Sequence, residues 1–213
     1  MGIVGSMATL GVATGLSYAA ARAGSASRLF AWHRYRIVSV PVTGMPAMPR
    51  GHSARVLGTA DLAGLPIDAS AAVQAARFAA GLTCIGAFAG DALVGVNWLT
   101  IAAFDEDEVR VRYLLPADAA WDTGLWIPPE RRLGRAFAAV WAATAAWLAE
   151  RGLARSISRI ADYNTPSLRA HLRMRATVIA SLSVLTVGQS RLAAGARPLL
   201  SRRALPVVDL RQR

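Results

Sequence analysis

The stretch WIPPERRLGRA, Trp126–Ala136, decides how the rest of the chain is read. Before it, Ala120–Ile127 has the apolar, aromatic composition of a strand, and Pro128-Pro129 ends that strand by removing backbone donors. After it, Phe137, Val140, Trp141, Thr144 and Leu148 fall on one face of a helix spanning Leu133–Glu150, with Gly152 as its C-terminal stop. Between strand and helix lies an arginine-rich bend. The first turn of a helix carries unpaired N–H groups and the positive end of the helix dipole, so such a bend is a ready site for an anion. Gly134 and Ala136 keep bulk away from a bound phosphate, while Arg131, Arg132 and Arg135 add charge and donors. The plainer reading is an exposed basic rim.

Working outward, Ala154–Ala161 reads as the next strand and Thr165–Met174 as a second helix, with Asn164 as its cap and Pro166 in its first turn. Val178–Val187 is an apolar strand or strand pair. Upstream, Cys84–Ala89 and Leu93–Ile101 form a hairpin about Gly90-Asp91. Ala69–Ala80 reads as an alanine-rich helix, Ile37–Val42 and Ala54–Leu57 as short strands, and Thr43–His52 as a connector. The acidic run Asp105–Glu108 leads into a strand at Val109–Leu115. The order implies a mixed α/β fold with a helix crossing between two neighbouring strands.

Three segments follow. Residues 37–190 make the folded domain, residues 1–36 an apolar and basic arm, and residues 191–213 a basic tail peripheral to it. Met1–Ala21 has no charged side chain but is only weakly apolar and lacks the positive start of a secretory signal. Arg22, Arg28, Arg34 and Arg36 follow, interleaved with Phe30, Trp32 and Tyr35, which is the composition of a membrane-interface anchor. A surface-packed helix is the equal alternative.

The chain has 213 residues, which suits one domain, and 54% of them are hydrophobic, enough for a sizeable core. Its basic residues outnumber the acidic ones 24 to 13, for a net charge of +11, and all are arginine. That balance favours an anionic partner such as a phosphorylated cofactor or an anionic membrane. Nucleic acid is not expected, because the arginines are scattered and no basic helix or zinc spacing is present. Cys84 is the only cysteine and reads as core; His33, His52 and His171 are far apart, so neither a disulfide nor a metal site is expected.

Arg131, Gly134 and Ala136 fill the three defined places of the acetyl-CoA signature of the GNAT N-acyltransferases, and the segment Trp121–Ala176 resembles that superfamily. The pattern recurs at Arg55–Ala60, but only the copy at 131–136 has a strand before it and a long helix after it. Asn164 stands where the family carries an asparagine before its last conserved helix, and Ser167 takes the small position three residues on. His171 takes the place of a tyrosine that acts as general acid in many members. Arg175 departs from the pattern, standing where the family has a glycine.

The resemblance implies a GNAT-type mixed central sheet with flanking helices and a splay between the two central strands. It implies acyl-CoA as co-substrate, with no metal, held by Ile127, Arg131, Arg132, Leu133, Gly134, Arg135, Ala136 and Asn164. It further implies attack by a primary amine on the thioester, with Asp122 or Glu108 as base and His171 as acid or in a dual role. Among family acceptors, the apolar arm, the basic charge and the apolar Val178–Val187 lean toward a lipid. The chain is similar in style to the bacterial ceramide synthases, which implies a sphingoid base such as 3-ketosphinganine or sphinganine as acceptor. Trp98, Trp121, Trp126, Ile179, Leu182 and Leu185 would line the acyl site, and the protein would work at the cytoplasmic face of the inner membrane. A soluble amine or amino sugar is the alternative acceptor; a GNAT-like domain that binds without catalysing is the alternative class.

Overall fold

The computed structural model describes residues 12–27, 30–65, 67, 69–106, 108–132 and 134–213. In chain order these form α1 (Val12–Ser27), β1 (Phe30–Pro41), β2 (His52–Leu57), the short α2 (Thr59–Leu62), α3 (Ala71–Ala79), β3 (Thr83–Ala89), β4 (Ala92–Thr100), β5 (Phe104–Glu106), β6 (Val111–Leu114) and β7 (Ala119–Trp126). Then come α4 (Arg135–Ala149), β8 (Arg155–Ala161), α5 (Thr165–Arg173), β9 (Thr177–Val187), β10 (Ser190–Ala194), β11 (Leu200–Ser201) and β12 (Val207–Asp209). The chain divides into two compact units: Val40–Ala102 with Ala117–Ser158, and Met1–Ser39 with Ala103–Pro116 and Arg159–Arg213.

The first of these, the hairpin unit, is a large mixed sheet covered by helices. β2, β3, β4 and β7 run antiparallel, and β8 joins parallel to β7. A parallel neighbour requires a crossover, and α4 supplies it. Alternation along β4 and β7 sorts the two faces. Leu99 and Ala120 pack with Ala143, Trp147 and Leu148 of α4. Trp98 lies on the opposite face, where Phe78 of α3 meets it edge-on at 4.9 Å between ring centres. Asn97 Nδ2 donates to Thr144 Oγ1 at 3.1 Å, and that hydroxyl donates to the Val140 carbonyl, so the buried amide nitrogen on β4 has a partner, while Asn97 Oδ1 has none among the described residues.

The second, the terminal unit, joins the two ends of the chain. β1 pairs antiparallel with β9, β9 with β10, and β10 with β11. A small sheet sets β6 between β5 and β12. α1 is tied down by polar contacts: Trp32 Nε1 donates to Ser17 Oγ (3.2 Å), and Ser17 Oγ donates to Asp162 Oδ1 (3.1 Å).

Local signals in the sequence correspond to what forms. The hairpin turns at Gly90-Asp91, and α5 is capped by Asn164, whose Oδ1 accepts from Ser167 N at 3.3 Å. Two segment readings differ from what forms. Residues 30–36 belong to β1 and not to an arm, since Phe30 through Arg36 pair with Val187 through Ser181. Residues 191–213 are not peripheral: they supply β10, β11 and β12. Of the two readings of Val178–Val187, strand or strand pair, the single strand forms, within β9. Of the rest of the expected arm, residues 12–27 form α1, and residues 1–11, 28 and 29 lie outside the described residues. Among the described residues no helix is long and apolar enough to cross a membrane.

Arg175 has a left-handed backbone, φ 61°, at the place where the resemblance puts a glycine. An arginine there carries a steric cost that glycine would avoid.

Candidate functional site

The site is set by the way β7 and β8 part. The two strands pair only over Ala119–Trp121 and Arg155–Ile157. From Asp122 to Trp126, β7 has no partner on its β8 side among the described residues, so the carboxyl end of this strand is left unpaired there. That is where parallel sheets bind ligands. On its other side β7 bulges: Trp98 pairs with Thr123 and Val96 with Trp126, so β7 carries one residue more than β4 over this span. Gly124 takes up the bulge at φ 60°.

Past Trp126 the chain turns through a single 3-10 turn, Pro129–Arg131, and reaches Gly134 with φ 114° and ψ −135°, a conformation open to glycine alone. Gly134 is the N-cap of α4; it offers no side chain to the first-turn N–H groups, and that turn holds no acidic residue. Among the described residues nothing beyond its chain neighbours lies within 4 Å of the place a Gly134 side chain would occupy, so the approach to these donors is open on that side. Arg131, Arg132 and Arg135 are exposed and make no ion pair among the described residues. Arg132 Nε donates to the Ile127 carbonyl at 3.2 Å, which fastens the bend to the strand end. Ala136 and Ile127 are buried beneath it, 6% exposed each. The arrangement concentrates positive charge and free donors on one turn, as a pyrophosphate requires. Leu133 lies outside the described residues.

The second copy of the motif, Arg55–Ala60, is closed to an anion. Asp61 already fills it: Gly58 N donates to Asp61 Oδ2 at 2.8 Å and Arg55 Nη1 donates to Asp61 Oδ1 at 2.7 Å.

Asp122 is the first residue of β7 beyond the last β7–β8 pair. Its carboxylate accepts from Ser156 Oγ at 2.5 Å. Burial pushes its pKa up to about 7, against the pull of the Ser156 and Ser158 hydroxyls. A carboxyl titrating there can take up or release a proton near neutrality.

His171 and Glu108 belong to the terminal unit. His171 is buried, its Nδ1 donating to the Ser167 carbonyl one turn back at 2.7 Å. Burial lowers its pKa, with that hydrogen bond opposing, so the imidazole is neutral near pH 7. Glu108 is held ionised. Burial raises its pKa, but the Arg159 charge and hydrogen bond, the Tyr35 hydroxyl and His33 together outweigh it. Arg159 Nη2 donates to Glu108 Oε2 at 2.7 Å and to Glu106 Oε1 at 2.5 Å, and Tyr35 Oη donates to Glu108 Oε2 at 2.9 Å. Its net lowered pKa makes Glu108 a poorer base than the sequence led us to expect. Asn164 spends its Oδ1 on the α5 cap.

The expected acyl-lining residues are corrected in part. Trp98, Trp121 and Leu182 are 0–1% exposed and are core. Trp126 is also buried, whereas Ile179 and Leu185 are half-buried on β9. One residue escaped sequence reading. Arg77, on α3, stacks on Trp98 with its guanidinium 5.3 Å from the ring, at the spot a side chain on Gly124 would occupy. Only the bulge geometry reveals it.

No family model matches the sequence, and no curated protein sequence matches it. Among solved structures, the chain is similar to a functionally unknown conserved protein from Staphylococcus epidermidis (10% identity, TM-score 0.50, 78% of this chain and 66% of that one). It is also similar to a putative GNAT-family acetyltransferase from Novosphingobium aromaticivorans (15% identity, TM-score 0.48, 78% and 80%) and to a Drosophila protein (15% identity, TM-score 0.48, 78% and 55%). The chain thus spans 55% of the fly protein's length and 66% of the staphylococcal one's. At these identities the likeness is one of fold, and the fold is a mixed α/β sheet flanked by helices.

Proposed function

We propose that the chain is an acyl-CoA-dependent N-acyltransferase that passes an acyl group from a coenzyme A thioester to a primary amine. The observation that carries this reading is the open, arginine-lined turn at Gly134–Ala136, placed at the end of the strand that parts from β8. The CoA pyrophosphate sits on the first-turn N–H groups of α4, and the pantetheine runs along the unpaired edge of β7. A β7 backbone N–H polarises the thioester carbonyl. Asp122, in the same unit, takes the amine proton. The roles of His171 as acid and Glu108 as base rest on the resemblance alone, and the neutral state of His171 and the low pKa of Glu108 make both weaker candidates than Asp122.

The finer proposal is a lipid-like acceptor such as a sphingoid base, giving a ceramide, at the cytoplasmic face of a membrane. It draws support from the basic composition and from exposed leucines and valines on β9, β10 and β11. An acetyl-CoA enzyme acting on a soluble amine or amino sugar would use the same cradle. Turnover measured across donors from acetyl- to stearoyl-CoA, with sphinganine as amine, separates the two. The lipid reading predicts a steep rise with chain length, because each buried methylene is worth about 0.8 kcal/mol. A flat profile, or a peak at acetyl-CoA, removes the lipid acceptor and leaves the acetyltransferase. Saturable acyl-CoA binding without turnover on any amine would make the domain a binding module.

A further inference from the structure

One face of the terminal unit's sheet carries an apolar row without cover at one end. The strand register places Trp32 opposite Leu185, Leu185 opposite Leu192, and Leu192 opposite Leu200, a line across β1, β9, β10 and β11. Their neighbours along each strand point the other way and are the core: Leu182, Val184 and Ala193 are fully buried and Ser201 nearly so. At the β1 end the row is sheltered. Trp32 is half-buried and hydrogen-bonded to Ser17 of α1, and Leu185 is half-buried. Away from α1 the row emerges: Leu192 is 43% exposed and Leu200 64%, with Val187, two residues along β9 from Leu185, at 54%. Leu192 and Leu200 face each other across β10 and β11, and adjoining exposed apolar side chains mark a surface that another body can cover.

The charges beside the row identify what covers it. Arg197, Arg202 and Arg203 flank Leu199 and Leu200 in the segment RPLLSRR, are exposed, and make no ion pair among the described residues. Leucines fringed with unpaired arginines suit an interface that is apolar within and anionic at its edge, which is a bilayer with acidic headgroups. We propose that the β9–β10–β11 face docks on an anionic lipid surface, with Leu192 and Leu200 entering the acyl boundary and Arg202 and Arg203 meeting phosphates. This inference does not depend on the acyl-transfer reading, and it is distinct from an anchor in the N-terminal segment.

The test is sedimentation of the full chain with phosphatidylglycerol–phosphatidylcholine vesicles and with phosphatidylcholine vesicles, alongside light scattering of the free protein. The intact chain should bind the anionic vesicles more tightly. Leu192→Gln with Leu200→Gln should weaken binding to them at least about tenfold, from the apolar burial lost. Arg202→Gln with Arg203→Gln should weaken it about fivefold for each arginine and abolish the preference for anionic lipid. All four side chains are exposed, so the circular dichroism and melting of these variants should match the parent. Undiminished binding by the leucine variant, which keeps the whole N-terminal segment, would overturn the proposal in favour of that segment. A dimer that dissociates in the leucine variant, with no vesicle binding by the parent, would overturn it in favour of a contact between copies.

Discussion

Replacing Gly134 with valine should lower acyl-CoA affinity at least about tenfold, or about 1.4 kcal/mol, while Gly58→Val leaves it unchanged. The two glycines hold the same place in two copies of one motif, but their surroundings differ. Gly134 has φ 114° and ψ −135°, where a β-branched residue costs on the order of 1–3 kcal/mol, so valine would move the bend that aims the α4 N–H groups. Any side chain that did fit would stand in the open space before those donors. Gly58 has φ −96°, which any residue adopts, and its N–H is already spent on Asp61. Calorimetric titration of both variants with acetyl-CoA checks the contrast. Loss of binding in Gly58→Val with retention in Gly134→Val would move the cradle to the other copy.

Asp122→Asn should reduce turnover by about 10²-fold or more and leave acyl-CoA affinity nearly unchanged, as expected for loss of a general base. In the parent, activity should rise with pH through about 7, where Asp122 loses its proton, and then level off. His171→Ala and Glu108→Gln, measured in the same profile, should keep that inflection; only the asparagine variant should lose it. A second readout separates catalysis from mere packing. The folded-state pKa of Asp122 lies above its unfolded value of 3.8, so the folded chain holds a proton that the unfolded chain releases. The stability this contributes is complete below about pH 4 and declines as the pH rises through about 7, by on the order of 4 kcal/mol in all. Asparagine imitates the protonated form. The variant should therefore be slower than the parent yet more stable than it at pH 8, by urea unfolding. Unchanged turnover with that gain in stability would make Asp122 a buried structural group.

What the sequence made legible was local. The strand, bend and helix from Trp121 to Glu150 are coded by Pro128-Pro129, Gly134 and a helical apolar period, all within one supersecondary unit. The Gly90-Asp91 hairpin and the Asn164 cap are equally short-range. Partners separated by long stretches of chain were not legible. Phe30–Arg36 looked like part of an arm because its strand partner, Ser181–Val187, lies some 150 residues on. The C-terminal residues looked like a tail because β12 pairs with β6, drawn from the middle of the chain. The neighbours that decide what Asp122 and Glu108 can do, Ser156 and Arg159, also come from a later strand. Tryptophan on a strand reads alike whether it lines a groove or fills a core, and only packing assigned Trp98 and Trp121 to the core.

Acetyl-CoA binding mapped by amide hydrogen exchange on the intact chain tests the central claim most directly. The predicted result is saturable protection at Arg135–Ala138, the first turn of α4, and in β7 from Asp122 to Trp126, with no change at Gly58–Asp61. Protection at Gly58–Asp61 in place of the α4 turn, or none anywhere at saturating acetyl-CoA, would contradict an acyl-CoA cradle at Gly134.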